Sequence, residues 1–225
     1  MQQLIKMFPE NLRNYYRPQW HQIKLEILIA LGKIKRQFLR PISAKNKNGE
    51  IYLHLGCGSI NNPDFINVDG MPFPHVHYVR EINDLSPFKN ESIDLIYASH
   101  CLEHFSHIQI SSILSEWFEK LKPGGILRLS VPDFDQLIHI YLENNKDVSL
   151  ILSPLMGGQS NKFDFHKIVF NCGNLKQLLI NAGFHEVREW HPSFCNPGDF
   201  DDWSNRQLFI NGKYYSVSLN LEAVK

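Results

Sequence analysis

Long apolar runs are missing from this sequence. Nothing in its 225 residues approaches the ~18 consecutive apolar positions that a membrane span needs. No apolar core follows the first Lys of the opening stretch MQQLIKMFPENLRNYYRPQW, so a secretory leader is not expected. Cysteines are few. Cys57, Cys101, Cys172 and Cys195 stand far apart and form no C-x-x-C pair. That spacing argues against a disulfide framework and a four-cysteine zinc site, and for a reducing, cytoplasmic setting. Internal repeats, low-complexity tracts and recurring basic–aromatic patterns are also absent, so nucleic acid is not an expected partner. With 43% hydrophobic and 20% charged residues, the chain has the composition of one globular domain, or of a domain with an extension.

Net charge is zero overall but unevenly distributed. Residues 1–48 carry ten Lys+Arg against two Asp+Glu, hence +8, and residues 49–225 carry thirteen against twenty-one, hence −8. The polar stretch SAKNKNGE marks the boundary. A basic helical extension (1–48) ahead of a main domain (49–225) is therefore expected. Within the extension a helix is predicted from about Gln19 to Leu39. Ile23, Ile27, Leu31, Ile34 and Phe38 share one face and Lys33, Arg36 and Arg40 lie opposite, while Leu25 and Ile29 break the pattern. Such a helix packs on the main domain, or rests through residues 19–40 on an anionic surface such as the inner face of a membrane.

From Glu50 onward, strands and helices alternate. IYLHLG, FINVD, VHYVREI, SIDLIYAS and ILRLSV read as strands. Ile110, Ile113, Leu114, Trp117, Phe118 and Leu121 recur at helical spacing before KPGG stops the helix. Leu175, Leu178, Leu179 and Ala182 mark another helix ending at Gly183, and FHEVREW and YYSVSLNLEAV read as closing strands. This alternation predicts an α/β fold with a mainly parallel sheet, whose ligands bind beyond the C-terminal strand ends.

Three features stand at those ends. LHLGCGS places Gly56 and Gly58 directly after the first strand, where missing side chains let a ligand approach the backbone. A dinucleotide fingerprint would need a third glycine and a following helix; position 61 is Asn and the next strand begins near Phe65, which disfavours NAD. Asp69 ends the second strand, where a carboxylate can accept both hydroxyls of a ribose. Asp84 follows the third strand and could accept from an adenine amino group, with Leu85 or Phe88 covering the ring. Each feature alone is compatible with an ordinary turn; the three in chain order are far more specific.

SHCLEHF contains H-x-x-E-H (His100, Glu103, His104), a pattern that on a regular helix binds zinc. Here a strand runs straight into His100, and the helical apolar pattern starts only at Ile110. The two histidines are thus denied a shared helical face, and no metal ligand is assigned. Glu103 instead suits the positive N-terminus of the coming helix.

LHLGCGS, NVDG, INDLSPFKNESIDLIYASHCLEHF, LKPGGILRLSVPDF and LLINAGFHEV together resemble the class I S-adenosylmethionine-dependent methyltransferases over roughly residues 50–190. The short first crossover looks like a bacterial subgroup often met in surface-polysaccharide biosynthesis. The resemblance implies a Rossmann-like fold: a seven-stranded, mostly parallel sheet with its last strand antiparallel and helices on both faces. It implies S-adenosyl-L-methionine as cofactor, with Gly56 and Gly58 against its methionine part, Asp69 on the ribose and Asp84 near the adenine. Leu55, Cys57, Gly70, Leu85, Ala98 and Ser99 complete the expected cofactor site.

Transfer of a methyl group to a hydroxyl calls for a base, and His or a carboxylate suits that. His166, Asp133 and His104 are the candidates, the first supported by a His often found near that place in the resembling subgroup. Asp133 can equally cap the helix of FDQLIHIYL, and His104 and His166 can be local hydrogen-bonders. The long segments LSPLMGGQSNKFDFH and HPSFCNPGDFDDWSNRQ mix aromatics with polar groups and read as acceptor loops. Asp199, Asp201 and Asp202 read as a solvated acidic loop. A sugar, a glycan precursor or another small polar molecule is the expected acceptor. The alternative is a non-catalytic cofactor-binding or scaffold subunit of a glycan assembly complex.

Overall fold

Tyr52–Leu55 (β1) and Ile93–Ser99 (β4) are buried along most of their length, which is why both read as apolar runs without clean alternation. They pair in parallel, Leu53 opposite Ile96 and Leu55 opposite Ala98. The computed structural model describes residues 10–38, 46, 48–192 and 200–225. Ile66–Asp69 (β2) and the two-residue Tyr78–Val79 (β3) extend the sheet in parallel on one side, and Leu121–Pro132 (β5) on the other. The antiparallel strand Ser218–Val224 (β9) separates β5 from His185–Glu189 (β6). The seven-stranded order is therefore 3-2-1-4-5-9-6.

Two details depart from the sequence expectation. β5 begins at Leu121, ahead of KPGG, because Leu121 already pairs with Ile93 across a bulge. The closing stretch is two strands, not one: Lys213–Ser216 (β8) turns away at Val217 to form a hairpin with Gln207–Ile210 (β7). Asn211 and Gly212 form that turn, both with positive φ. Asn-Gly between apolar runs is the pattern a two-residue hairpin demands.

One sheet face carries the main core. Leu53, Leu55, Ile96, Ala98, Leu127, Leu129 and Leu221 pack there under Ile110, Ile113, Leu114 and Trp117 of His107–Lys120 (α2) and Leu175 and Leu179 of Cys172–Asn181 (α5). The Trp117 indole donates to the Ile82 carbonyl at 2.9 Å. On the opposite face, Leu95 and Tyr97 pack with Phe65, Trp190 and Phe200. His54 lies in the same aromatic group, its rings 4.7 Å from Phe200 and 5.3 Å from Tyr97, and burial lowers its pKa to about 3. Phe134–Glu143 (α3) and the short Leu152–Met156 (α4) follow β5, and α3 packs through Leu137 and Ile140 against Ile210 and Tyr215 of the hairpin.

The first helix runs Glu10–Phe38 (α1). It docks beside β3 through Ile29 and Leu25, which meet Val76 and Val79. These are the two residues that broke the sequence pattern. The stripe Ile23, Ile27, Leu31 and Ile34 stays exposed. The helix thus packs on the main domain through the side that carries Leu25 and Ile29, and leaves its more regular apolar stripe outward. Gly32 explains the choice: its Cα lies against Pro72 where a side chain would collide. Arg40, Cys195 and Asp199 lie outside the described residues.

An ion triad crosses the face of β5, β9 and β6, with Glu222 and Arg128 buried and Arg188 59% exposed. Glu222 accepts from Arg128 Nε at 2.7 Å and from Arg188 at 2.7 Å. Burial alone would raise its carboxyl pKa, but the two guanidiniums outweigh that and hold it below the ordinary value. A depressed carboxyl pKa contributes stability above the unfolded-state value, and that contribution disappears as pH falls through the folded-state value. Urea midpoints measured from pH 7 down to pH 3 should therefore fall more steeply for the native protein than for Glu222→Gln. The variant should lose about 1–3 kcal/mol at neutral pH, and parallel pH profiles would refute the assignment.

Candidate active site

The chain leaves β1 through a turn that only glycine suits. Gly56 has φ +65°, and a Cβ there would stand 2.7 Å from Cβ of Cys101. Gly58 has φ +53°, yet a Cβ there would meet nothing within 4 Å. The first glycine is required by packing against the protein; the second borders open space. Asp69, 8% exposed at the tip of β2, closes the arrangement. Its carboxylate accepts from the Gly58 amide at 2.8 Å and from the Met71 amide at 2.6 Å. Burial raises its pKa above the ordinary range, opposed by those two amides and by the nearby His75. His75 Nε2 lies 3.0 Å from the Gly58 carbonyl, so both polar groups of that residue's peptide neighbourhood are held. Phe163, from the loop 157–166, lies against Gly70, where a Cβ would be 3.0 Å from its ring.

Other expected cofactor residues fare differently. Leu55, Cys57, Leu85 and Ala98 have buried side chains, so only their backbone can face a ligand. Leu85 belongs to the main core, and Phe88 packs on Tyr78 with ring centroids 4.9 Å apart. Asp84 is exposed, ion-paired to Arg80 at 2.7 Å, and accepts from the Ser86 amide. Its carboxylate is engaged in that turn. Ser99 ends β4 beside the turn that follows.

His100 turns the chain out of β4 with φ +48°. A 3-10 turn, Leu102–His104, follows, and α2 starts only at His107, where Gln109 accepts from the Ser106 amide as an N-terminal cap. Glu103 therefore does not sit in the first turn of α2 as expected. It is buried at 1% exposure, with His100 Nδ1 at 3.4 Å and His166 Nε2 at 3.8 Å from its Oε1. Burial would raise its pKa, but His100, His104 and His166 outweigh that and lower it. His166 Nδ1 faces the Pro154 carbonyl at 3.0 Å, and burial lowers the imidazole pKa against the opposing pull of Glu103. The His104 and His166 rings meet edge-on with centroids 4.9 Å apart. The loop carrying His166 is pinned at its base by His166 N to Met156 O and by Lys167 N to Glu103 O at 2.8 Å.

A family described as Methyltransferase domain matches residues 61–129, from just past Gly58 into β5. A solved complex between the Haloferax volcanii Trm112 methyltransferase activator and a methyltransferase aligns over 93% of this chain and 96% of that one, at 16% identity and a TM-score of 0.50. The chain carries the class I S-adenosylmethionine-dependent methyltransferase fold. Curated relatives include the ubiquinone/menaquinone biosynthesis C-methyltransferase UbiE of Vibrio vulnificus, 28% identical over 173 residues covering 69% of this chain. The protein of the same name from Blochmanniella floridana is 22% identical over 176 residues covering 73% of this chain. This chain spans 61% and 66% of those relatives' lengths.

Within the methyltransferase fold, Asp133 follows β5 as the N-cap of α3, accepting from the Asp135 amide at 3.1 Å. Burial raises its pKa, opposed by the Asp135 and Gln136 amides. It is not one of the group Glu103, His104 and His166, whose ligand-type atoms lie within 4.8 Å of one another. The expectation of a solvated acidic loop is corrected at Asp202. Its carboxylate is buried and accepts from the Tyr97 hydroxyl at 2.6 Å and the Ser204 amide at 2.8 Å, while Asp201 is exposed and paired with Arg206. Glu103 and Phe163 are the residues that sequence reasoning undervalued. A Glu flanked by two histidines was the available signal for the first; nothing local signalled the second.

Proposed function

We propose that this chain is an S-adenosyl-L-methionine-dependent methyltransferase that O-methylates a sugar, a glycan precursor or another small polar acceptor. The observation that carries the reading is the Gly58–Asp69 pair: a buried carboxylate holding the amide of a glycine beyond which space is open. These residues fit the cofactor, since a ribose hydroxyl can donate to the remaining lone pairs of Asp69 and the bare Gly58 lets a ligand come close. When bound, the cofactor supplies a methyl group made electrophilic by its sulfonium.

The protein's part is to bind, align and manage one proton. Gly56, Gly58 and the backbone at Ala98 and Ser99 form the floor, and Phe163 over Gly70 shields it from water. His166 serves as base. With Nδ1 donating to the Pro154 carbonyl, Nε2 is left as the acceptor nitrogen, and the Glu103 carboxylate beside it stabilises the imidazolium that forms. His104 packs edge-on against the His166 ring and is itself held by one N–H, which can go to the Phe165 or the His100 carbonyl, each at 3.2 Å. The aromatic and polar content of the late loops suits a sugar or another small polar molecule, and the resemblance to a methyltransferase subgroup often met in surface-polysaccharide biosynthesis favours the sugar.

A peripheral membrane contact through α1 is part of the reading. Trp20, Ile23, Ile27, Leu28, Leu31 and Ile34 are all exposed on a segment rich in Lys and Arg. Among the described residues no helix is long and apolar enough to cross a membrane.

Calorimetry should detect cofactor binding to the full chain, and Asp69→Ala should weaken it by about 1–3 kcal/mol. A folded protein that ignores millimolar cofactor would sink the reading. With labelled methyl donor and a panel of nucleotide sugars, label should appear on a sugar hydroxyl. His166→Ala should cut that turnover about 10²-fold while cofactor affinity stays. Label on a quinol ring carbon would replace the O-methyl reading with the chemistry of the named relatives, and cofactor binding with no acceptor would favour a scaffold role. In flotation assays the full chain should rise with vesicles containing anionic lipid and not with neutral ones. Ile27→Glu with Leu31→Glu should abolish the effect.

A further inference from the structure

Glu103 poses a problem that the methyltransferase reading only partly answers. It is 1% exposed, and neither carboxylate oxygen has a well-formed hydrogen bond. A buried carboxylate without donors is strongly unfavourable unless positive charge faces it. What faces it is a set of imidazoles. His166 Nε2 stands 3.8 Å and His100 Nδ1 3.4 Å from Oε1. His104 completes the group, with one ligand atom each from Glu103, His104 and His166 mutually within 4.8 Å.

The rings are already oriented by their other contacts. His166 Nδ1 is occupied by the Pro154 carbonyl at 3.0 Å, leaving Nε2 toward Glu103. His100 Nε2 is 2.8 Å from the Ser218 hydroxyl. His104 lies between two carbonyls, each at 3.2 Å; a neutral imidazole carries one N–H and donates to only one of them, so the other nitrogen keeps its lone pair and reaches a metal by turning away from a carbonyl oxygen. An imidazole fixed through one nitrogen by a carbonyl, with the other aimed at a shared point, is how proteins hold metal-bound histidines. A carboxylate and two imidazoles suit zinc and its first-row neighbours.

We infer that Glu103, His104 and His166 form a binding site for a divalent transition-metal cation of the zinc type. The H-x-x-E-H of the sequence contributes, but not as two histidines on a helix: the 3-10 turn supplies Glu103 and His104, and the pinned loop 157–166 brings the third ligand. Ligands about 2.0–2.2 Å from a common metal lie closer together than 4.8 Å, so small side-chain rotations complete the site. A cation there takes the nitrogen assigned above to proton uptake, so the loaded form is a resting form. Only that consequence rests on the methyltransferase reading; the site itself does not.

The test uses the full chain stripped with a chelator and titrated with Co²⁺, followed by visible absorption. About one equivalent should bind with the d–d bands of a low-coordinate nitrogen–oxygen site, and Zn²⁺ should displace it. Glu103→Gln and His166→Ala should each weaken Co²⁺ binding at least about 10-fold. His139→Ala, an exposed histidine paired with Glu143 on α3, should leave it unchanged. If Glu103→Gln does not fold, judged by circular dichroism, His104→Ala with His166→Ala carries the comparison. No bands at excess Co²⁺, or binding that ignores all three substitutions, would overturn the site. Cofactor calorimetry on the same stripped protein reads the methyltransferase proposal separately.

Discussion

A single charge-assisted hydrogen bond, from the Gly58 amide to the Asp69 carboxylate, joins the exits of the first two strands. β1 and β2 are already in register, Leu55 opposite Val68. The bond carries that register one step beyond the sheet, into the turn where a ligand can lie. Asp69 also accepts from Met71, so one buried carboxylate fixes the backbone on both sides of the opening. With no helix of any length between β1 and β2, no helix N-terminus is available to hold this turn. The side chain does that work instead, which is why a buried acid sits where the crossover is shortest.

The parts of this site legible in the sequence are those set by local rules. A strand ending in glycines, an acid at the next strand tip and a helix stopped by glycine each follow from backbone sterics within a few residues. Gly183, with φ +106° after α5, is one such case. Glu103 was visible as a residue and illegible as a role, because its burial depends on His166, supplied by a loop far along the chain. The packing role of Leu25 and Ile29 is hidden for the same reason. Periodicity identifies an apolar stripe, but Gly32 against Pro72 decides which side approaches the sheet. The Asn211-Gly212 turn is a local signal, but the break at Val217 that divides the following apolar run into β8 and β9 is not.

Two buried polar systems flank the C-terminal ends of the central strands. On one side lie Glu103 and its histidines; on the other, Tyr97 donates to Asp202 while Ser218 bridges His100 to the Trp203 carbonyl. His100 touches both. Its left-handed backbone puts one ring nitrogen toward each system. The residue that leaves β4 is therefore the mechanical link between the loop before β7 and the loop before α5.

The sheet order has a consequence for how the chain is made. β6 lies at the sheet edge, and its neighbour is β9, a strand that comes later in the sequence and must slot between β5 and β6. During vectorial synthesis β5 and β6 both wait with open hydrogen-bonding edges until residues 218–224 emerge. The half of the sheet that carries the glycine turn, β1 to β4, needs nothing from that region for its ladder. Ribosome-bound intermediates should thus hold a formed ligand end beside an unpaired far edge, exposed to aggregation or chaperones until β9 closes it.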